Sequence, residues 1–234
     1  MQSGYLLSIL QGAWLTLLVA LGSLAVAIVL GLAGAAAKLS PQPAFRWLGA
    51  TYSTLIRGIP DLVLMLLVFY GGQIFINAVF EAFGSEDTLD IDPYIAGVVT
   101  IGFIFGAYLT ETFRGAILAI SPGQAEAGYA YGMTRWQVFV SITLPQMTRL
   151  ALPSFTNNWL VLLKSTALVS LLGLQDMTYL AKQAGAAARG EIPNASLWFM
   201  MLAGLLYLIF STLSLWVLKA IEKRTSMGVR RAQF

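Results

Sequence analysis

From Met1 to Ala37 the chain carries no charged residue. A helix needs about 20 apolar residues to cross a bilayer core, and Gly12 to Ala37 alone exceeds that. Hydrocarbon offers no partner to backbone N–H and C=O groups, so such a run must satisfy them internally, as a helix. Four further apolar stretches follow, at 52–76, 94–113, 150–174 and 196–218. Across 234 residues 58% are hydrophobic and only 11% charged, where a soluble domain carries roughly a quarter. The expected fold is all-α: a polytopic membrane protein with five transmembrane helices in one domain, its core at 12–218.

Polar segments punctuate these spans. Lys38, Pro41, Pro43 and Arg46 mark a first loop. The second span is interrupted by Arg57-Gly58-Ile59-Pro60-Asp61. Segment 81–92 holds five acidic residues and no basic one. Gly102 and Gly106 give the third span the spacing that lets helices approach closely. The fourth, 150–174, is expected to be broken near its start by Pro153, and it carries Lys164. A Gly/Ala-rich polar connection covers 175–194, and a basic tail covers 219–234. Lysine and arginine collect on the cytoplasmic side of membrane proteins. With five spans, Lys38, Arg46, Arg135, Arg149 and the tail share one side, and the acidic loop lies opposite. Lys182 and Arg189 are mild exceptions. The expected topology places the N-terminus outside and the C-terminus and the 121–145 loop inside.

The chain has no Cys and no His, which removes disulfides, thiol nucleophiles, most zinc sites and the usual general base. It has no phosphate-binding loop and no catalytic constellation. No catalytic residue, metal site or cofactor is therefore expected in this chain, and energy input must come from a partner. The net charge of +3 reports topology rather than nucleic-acid binding.

Ionisable groups inside membrane spans are costly and face protein or a pathway. Arg57, Asp61, Glu111, Arg114 and Lys164 are of this kind. One reading is structural: Arg57 with Asp61, and Glu111 with Arg114, pair along helix faces. The other is a pathway for a substrate with a carboxylate and a cationic side chain. The break at Arg57-Gly58-Ile59-Pro60 would then present helix N-terminal amides, and Asp61 and Glu111 would meet the cation. Lys164 is either a carboxylate anchor or a partner of Asp61 or Glu111. Asn157 and Asn158 add neutral hydrogen bonds.

Segment 121–153 is the longest that cannot be a span. Ser121-Pro122-Gly123-Gln124 and Thr134-Arg135-Trp136-Gln137 each carry a helix-start pattern. Gly132 sits where a helix C-cap wants positive φ, and Pro145 is expected to end the second piece. Two short helices, about 122–131 and 135–143, are expected. Trp136 and Phe139 share one face of the second, either for a partner to bury or folded back on this chain.

Glu126-Ala127-Gly128, followed by Gly132, Phe139, Ile142, Leu144-Pro145 and Leu152-Pro153, resembles the EAA motif of ABC-importer permeases, with Gly128 where Ala is usual. The runs Arg57 to Pro60, Ala107 to Gly115, Pro122-Gly123-Gln124, Leu144-Pro145-Gln146 and Lys164 to Leu168 resemble the polar amino-acid branch of that family. The likeness extends from Gly12 to the tail. It is nearest the membrane subunits of histidine/lysine/arginine/ornithine and arginine transporters, because Asp61 follows Pro60 and because of the run from Lys164. Lys164-Ser165 departs from the Lys-Asp of many relatives. The resemblance implies a type I ABC-importer permease fold in the bacterial inner membrane, with cytoplasmic EAA coupling helices. It implies a second, related permease subunit, two ATPase subunits that use ATP and Mg, a periplasmic binding protein and an amino-acid substrate. Glu126, Ala127, Gly128, Gly132, Trp136, Phe139, Ile142, Leu144 and Pro145 would couple to the ATPase. A homodimer, or a glutamine or other polar amino-acid permease, is the alternative within the family. A non-transporting scaffold and a channel are the alternatives outside it.

Overall fold

The computed structural model describes residues 2–83 and 90–225. Glu86 and Asp87 of the acidic loop, and Arg230 and Arg231 of the tail, lie outside the described residues. Nine α-helices are described: α1 (Gln2–Leu39), α2 (Pro43–Gly58), α3 (Asp61–Ala82), α4 (Pro93–Leu118), α5 (Pro122–Ala130), α6 (Arg135–Val138), α7 (Leu144–Ser165), α8 (Met177–Ala187) and α9 (Ala195–Thr225). No strand occurs among the described residues. α1, α3, α4 and α9 are each long and apolar enough to cross a membrane. The segment Arg135–Leu172 with Met177–Gly190, bent by 54°, supplies a fifth span if the pair is counted as one.

The core is a seam between α1 and α4, the most extensive helix pairing in the molecule. Apolar side chains gain nothing by leaving lipid for another helix, so helices associate through close packing at small residues. A Cβ added at Gly102 would lie 2.5 Å from the Val26 Cβ, and one at Gly106 would lie 2.8 Å from the Leu30 Cβ. Facing them, a Cβ at Gly31 would stand 2.6 Å from the Leu109 Cβ. The GxxxG spacing of α4 thus reads onto a matching stripe of α1. Tyr52 of α2 closes the seam by donating from its hydroxyl to the Phe103 carbonyl at 2.6 Å.

Several boundaries differ from expectation. The first helix begins ten residues before Gly12, at Gln2. The stretch 52–76 is two helices rather than one interrupted span. Pro60 holds Ile59 extended (φ −110°, ψ 139°), because its ring clashes with a helical preceding residue. The spanning element is α3, and α2 is a separate amphipathic helix. Pro145 does not end the second short helix. After α6 the chain makes a π-helical turn over Phe139–Thr143, in which the Leu144 N–H bonds the Phe139 carbonyl, and it enters α7 without a break. Thr143 and Leu144 keep helical angles. The wider turn changes the local bonding pattern at the residue that lacks an N–H. Pro153 likewise sits inside α7 without breaking it.

Segment 175–194 is more than a connection. Asp176 caps α8 by accepting from Tyr179 N–H at 2.9 Å and Thr178 N–H at 3.2 Å. Met177, Ala181, Ala184 and Ala188 then recur at helical spacing and are buried against Ile9 and Ala13 of α1 and Phe199 and Ala203 of α9. Small side chains that resemble a flexible linker in sequence here permit close helix contact.

Gly102→Ala is expected to destabilise the protein by about 1–3 kcal/mol through overpacking against Val26. Gly72→Ala, where a Cβ meets nothing within 4 Å, serves as the control. Thermal unfolding of both purified variants checks this: the first should melt earlier than wild type and the second should not.

Candidate functional site

A cavity of about 510 Å³ opens between the end of α2, the second half of α4 and the middle of α7. α4 contributes Tyr108, Glu111 and Thr112, which share one face at helical spacing. α7 contributes Pro153, Ser154, Asn157 and Asn158, and α2 contributes Arg57. Asn158 Nδ2 donates to Thr112 Oγ1 at 2.9 Å and ties the two walls together. Of the candidates from sequence, Arg57, Glu111, Asn157 and Asn158 are brought to one cavity. Asp61 reaches it indirectly, through the hydroxyl of Tyr108, which points to Asp61 Oδ1 at 3.5 Å. The guanidinium carbon of Arg57 lies 5.6 Å from the centre of the Tyr108 ring, within cation–π range. Tyr108 therefore stands between an arginine and an aspartate.

Arg57 and Asp61 do not pair with each other. The helix breaks between them at Ile59-Pro60, so their four-residue spacing no longer places them on one face. Glu111 and Arg114 do pair, at 3.3 Å through Oε2. The other Glu111 oxygen holds a second cation that sequence spacing did not indicate. Lys38, in the last turn of α1, donates to Oε1, and so does Ser53 Oγ at 2.8 Å. Lys38 also donates to Ser53 at 2.9 Å. One carboxylate thus joins α1, α2 and α4. Lys164 does not pair with Asp61 or Glu111: it is exposed, and no described carboxylate lies within ion-pair distance. Gly58 ends α2 beside the cavity, with open space around its Cα.

The loop helices form a second feature. Thr134 and Gln137 make a reciprocal capping box. Ser121 occupies its N-cap position, but its side chain makes no cap bond. Gly132 has φ +81°, and its N–H bonds the Tyr129 carbonyl. Gly128 is buried against Val138 and Ile142. An alanine there would press its Cβ to 2.7 Å from Ile142 Cδ1, the tip of a flexible side chain that can turn away. Glu126, Ala127, Gly132 and Pro145 are exposed, and Ile142 and Leu144 are half-buried. Trp136 is 71% exposed and stacks on Phe139 at 5.8 Å. Tyr129 and Tyr131 are also exposed, so the loop presents an aromatic surface.

Residues 27–227 match the family described as the inner membrane component of binding-protein-dependent transport systems. The chain belongs to that family. Members with established names include the histidine/lysine/arginine/ornithine transport system permease protein HisQ of Escherichia coli (strain K12), 51% identical over 96% of both chains. The octopine transport system permease protein OccQ of Rhizobium radiobacter is 35% identical over 97% of this chain and 94% of its own. Among solved structures, an amino acid ABC transporter crystallised with histidines matches with a TM-score of 0.76. It is 26% identical and covers 95% of this chain and 96% of that one. The MetNI methionine ABC transporter, inward facing, matches with the same TM-score at 18% identity, which speaks for the fold alone. The chain is thus an inner-membrane ABC permease with the type I importer fold.

Ser53 and Ser154 were not singled out by sequence; Lys38 was named only for loop and topology, and Tyr108 and Thr112 only within the run Ala107 to Gly115. Tyr108 and Thr112 could have been found as neighbours of Glu111 on one helix face. Lys38 could not, because its contact spans 73 residues of chain.

The pair of Lys38 and Glu111 has side chains only 14% and 24% exposed, so removing one partner leaves a poorly solvated charge. Lys38→Met is expected to lower stability by about 1–3 kcal/mol. Adding Glu111→Gln should recover at least half of that loss. Melting curves of the single and double variants measure the coupling.

Proposed function

We propose that this permease forms half of the translocation pathway for cationic L-amino acids, such as arginine, lysine, ornithine or histidine, in an ATP-driven importer. The observation that carries the proposal is the 51% identity, along 96% of both chains, to a permease named for these substrates. The cavity chemistry is in keeping with it. Arg57 meets the substrate carboxylate, and Asp61, positioned by Tyr108, meets the cationic side chain. Asn157 and Asn158 offer neutral hydrogen bonds. Glu111, already engaged by Lys38 and Arg114, holds the cavity wall rather than the substrate.

The chain acts as a single permease domain beside a second, related permease, and the two close the pathway between them. Two cytoplasmic ATPase subunits bind and hydrolyse ATP with Mg²⁺, so this subunit is not itself an enzyme. A periplasmic binding protein delivers the amino acid. The loop 121–145 lies in the cytoplasm, with the C-terminus, and the N-terminus is periplasmic. Glu126, Trp136 and the exposed aromatics of the loop seat in the ATPase, while buried Gly128 keeps α5 close to the π-helical turn. Closure of the ATPase dimer then moves α7 directly, because no break separates the loop from that helix.

The decisive test is uptake of labelled arginine by proteoliposomes holding the whole complex, with ATP inside. Asp61→Asn should lower uptake at least tenfold and leave ATPase activity stimulated by the binding protein within twofold. Normal uptake by that variant would remove Asp61 from the pathway. Topology is read separately. The chain has no cysteine, so a membrane-impermeant thiol reagent should label Gly123→Cys in inverted vesicles and leave it untouched in intact spheroplasts.

A further inference from the structure

α7 is fastened at one end and loosely held along the rest. Its last turn passes into a 3₁₀ segment, Thr166–Leu172, in which Thr166, Val169, Ser170 and Leu172 are buried. The Thr166 hydroxyl donates to the Leu163 carbonyl at 2.7 Å, so its proton is committed. The Tyr207 hydroxyl of α9 lies 3.4 Å from Thr166 Oγ1 and is therefore the donor between the two. On the other side of that hydroxyl, also at 3.4 Å, stands Thr178 Oγ1 in the first turn of α8. Lys182 of α8 donates to Ser170 of the 3₁₀ segment at 3.5 Å. Thr16 of α1 accepts from the Met177 N–H at 3.2 Å and fixes the start of α8. Hydrogen bonds of this kind hold helices together where hydrocarbon offers no other partner. One tyrosine hydroxyl thus joins the far end of α7 to α8 and α9.

Towards the loop the packing is different. Among the described residues, α7 makes one side-chain hydrogen bond to another helix, from Asn158 to Thr112. Phe155 lies about 200° around the helix from Asn157, away from the polar cavity. It is flanked there by two apolar pockets of about 300 and 240 Å³, so α7 has room behind it. A change from α-helical to 3₁₀ winding inside a helical run is where a backbone takes up rotation, and in this chain it falls at Ser165 to Thr166.

We propose that Tyr207 is a positioning residue for transport: with Thr166 and Thr178 it pins the end of α7 remote from the loop, and α7 swings about that end when the loop is driven. The proposal rests on the coupling of the loop to the ATPase given above. At about 1.5 Å per residue, Leu144 lies about 33 Å from Thr166 and Asn157 about 14 Å. A displacement at the loop therefore reaches the cavity wall at roughly two-fifths of its size. The pin makes the difference between a helix that tilts, opening the cavity at its loop end, and one that slides as a whole.

The test reads distances between paired spin labels in the whole transport complex, otherwise free of cysteine, with its binding protein. Thr148→Cys and Val161→Cys are each paired with Gln183→Cys on α8, all three being exposed positions. They stand about 27 Å and about 8 Å along α7 from Thr166, and about 26 residues' worth of chemistry is left untouched between loop and pin. On passing from the nucleotide-free to the ATP-trapped complex, the Thr148 pair is expected to shift at least threefold more than the Val161 pair. Tyr207→Phe keeps the ring and removes the hydroxyl. It should bring that ratio below twofold and lower arginine uptake per ATP hydrolysed at least threefold, with ATPase activity stimulated by the binding protein within twofold of wild type. Equal shifts of the two pairs in the wild type would overturn the pivot. A wild-type ratio and wild-type uptake in Tyr207→Phe would overturn the role of Tyr207. No shift of the Thr148 pair on trapping would overturn the coupling of loop to α7, and the pivot with it.

Discussion

The close approach of α1 to α4 is the constraint on which the rest of the molecule depends. In a bilayer no solvent drives helices together, so the seam must come from backbone proximity and shape. Gly31 faces Leu109, and Gly102 and Gly106 face Val26 and Leu30. This interlock sets both the depth and the rotation of α1 relative to α4. It thereby brings the last turn of α1 to the second half of α4, where Lys38 meets Glu111. A shift of one residue along the seam would carry Lys38 away from that carboxylate and cost the junction one of its two cations.

The ionic junction and the cavity are linked consequences. Glu111 lines the cavity, yet its oxygens are taken by Lys38, Ser53 and Arg114. The wall of the cavity is therefore held rigid by the groups that neutralise it. Asp61 is different, because its described side-chain contact is the long one to Tyr108. Two carboxylates that look equivalent as intramembrane acids occupy different environments, one bonded through both oxygens and the other through a single long contact. α7 separates the polar cavity from two apolar pockets by presenting asparagines on one side and Phe155 and Trp159 on the other.

Much of this was legible in the chain. The apolar runs announced the spans, the capping box at Thr134 and the positive φ of Gly132 were readable from local pattern, and the EAA-like residues pointed to the family. The failures have a common physical cause. Pro145 and Pro153 were read as breakers from local sterics, but a π-helical turn before one and the helical frame around the other absorbed them. The alanines of 175–188 were read as a linker because small side chains carry no periodic hydrophobic signal of their own. Packed against α1 and α9, they form a helix core.

The sequence by itself determined that this is a helical membrane protein, roughly where its apolar spans fall though not their bounds, which loop carries the paired short helices, and which family it belongs to. Those properties follow from hydropathy, local backbone chemistry and short motifs, all of which act over a few turns of chain. Only the tertiary structure decided that Lys38 rather than Lys164 answers Glu111, that Tyr108 stands between Arg57 and Asp61, and that α7 backs the cavity with two apolar pockets. Each depends on contacts between distant segments, and those contacts are set by how closely the glycine-lined helices can approach.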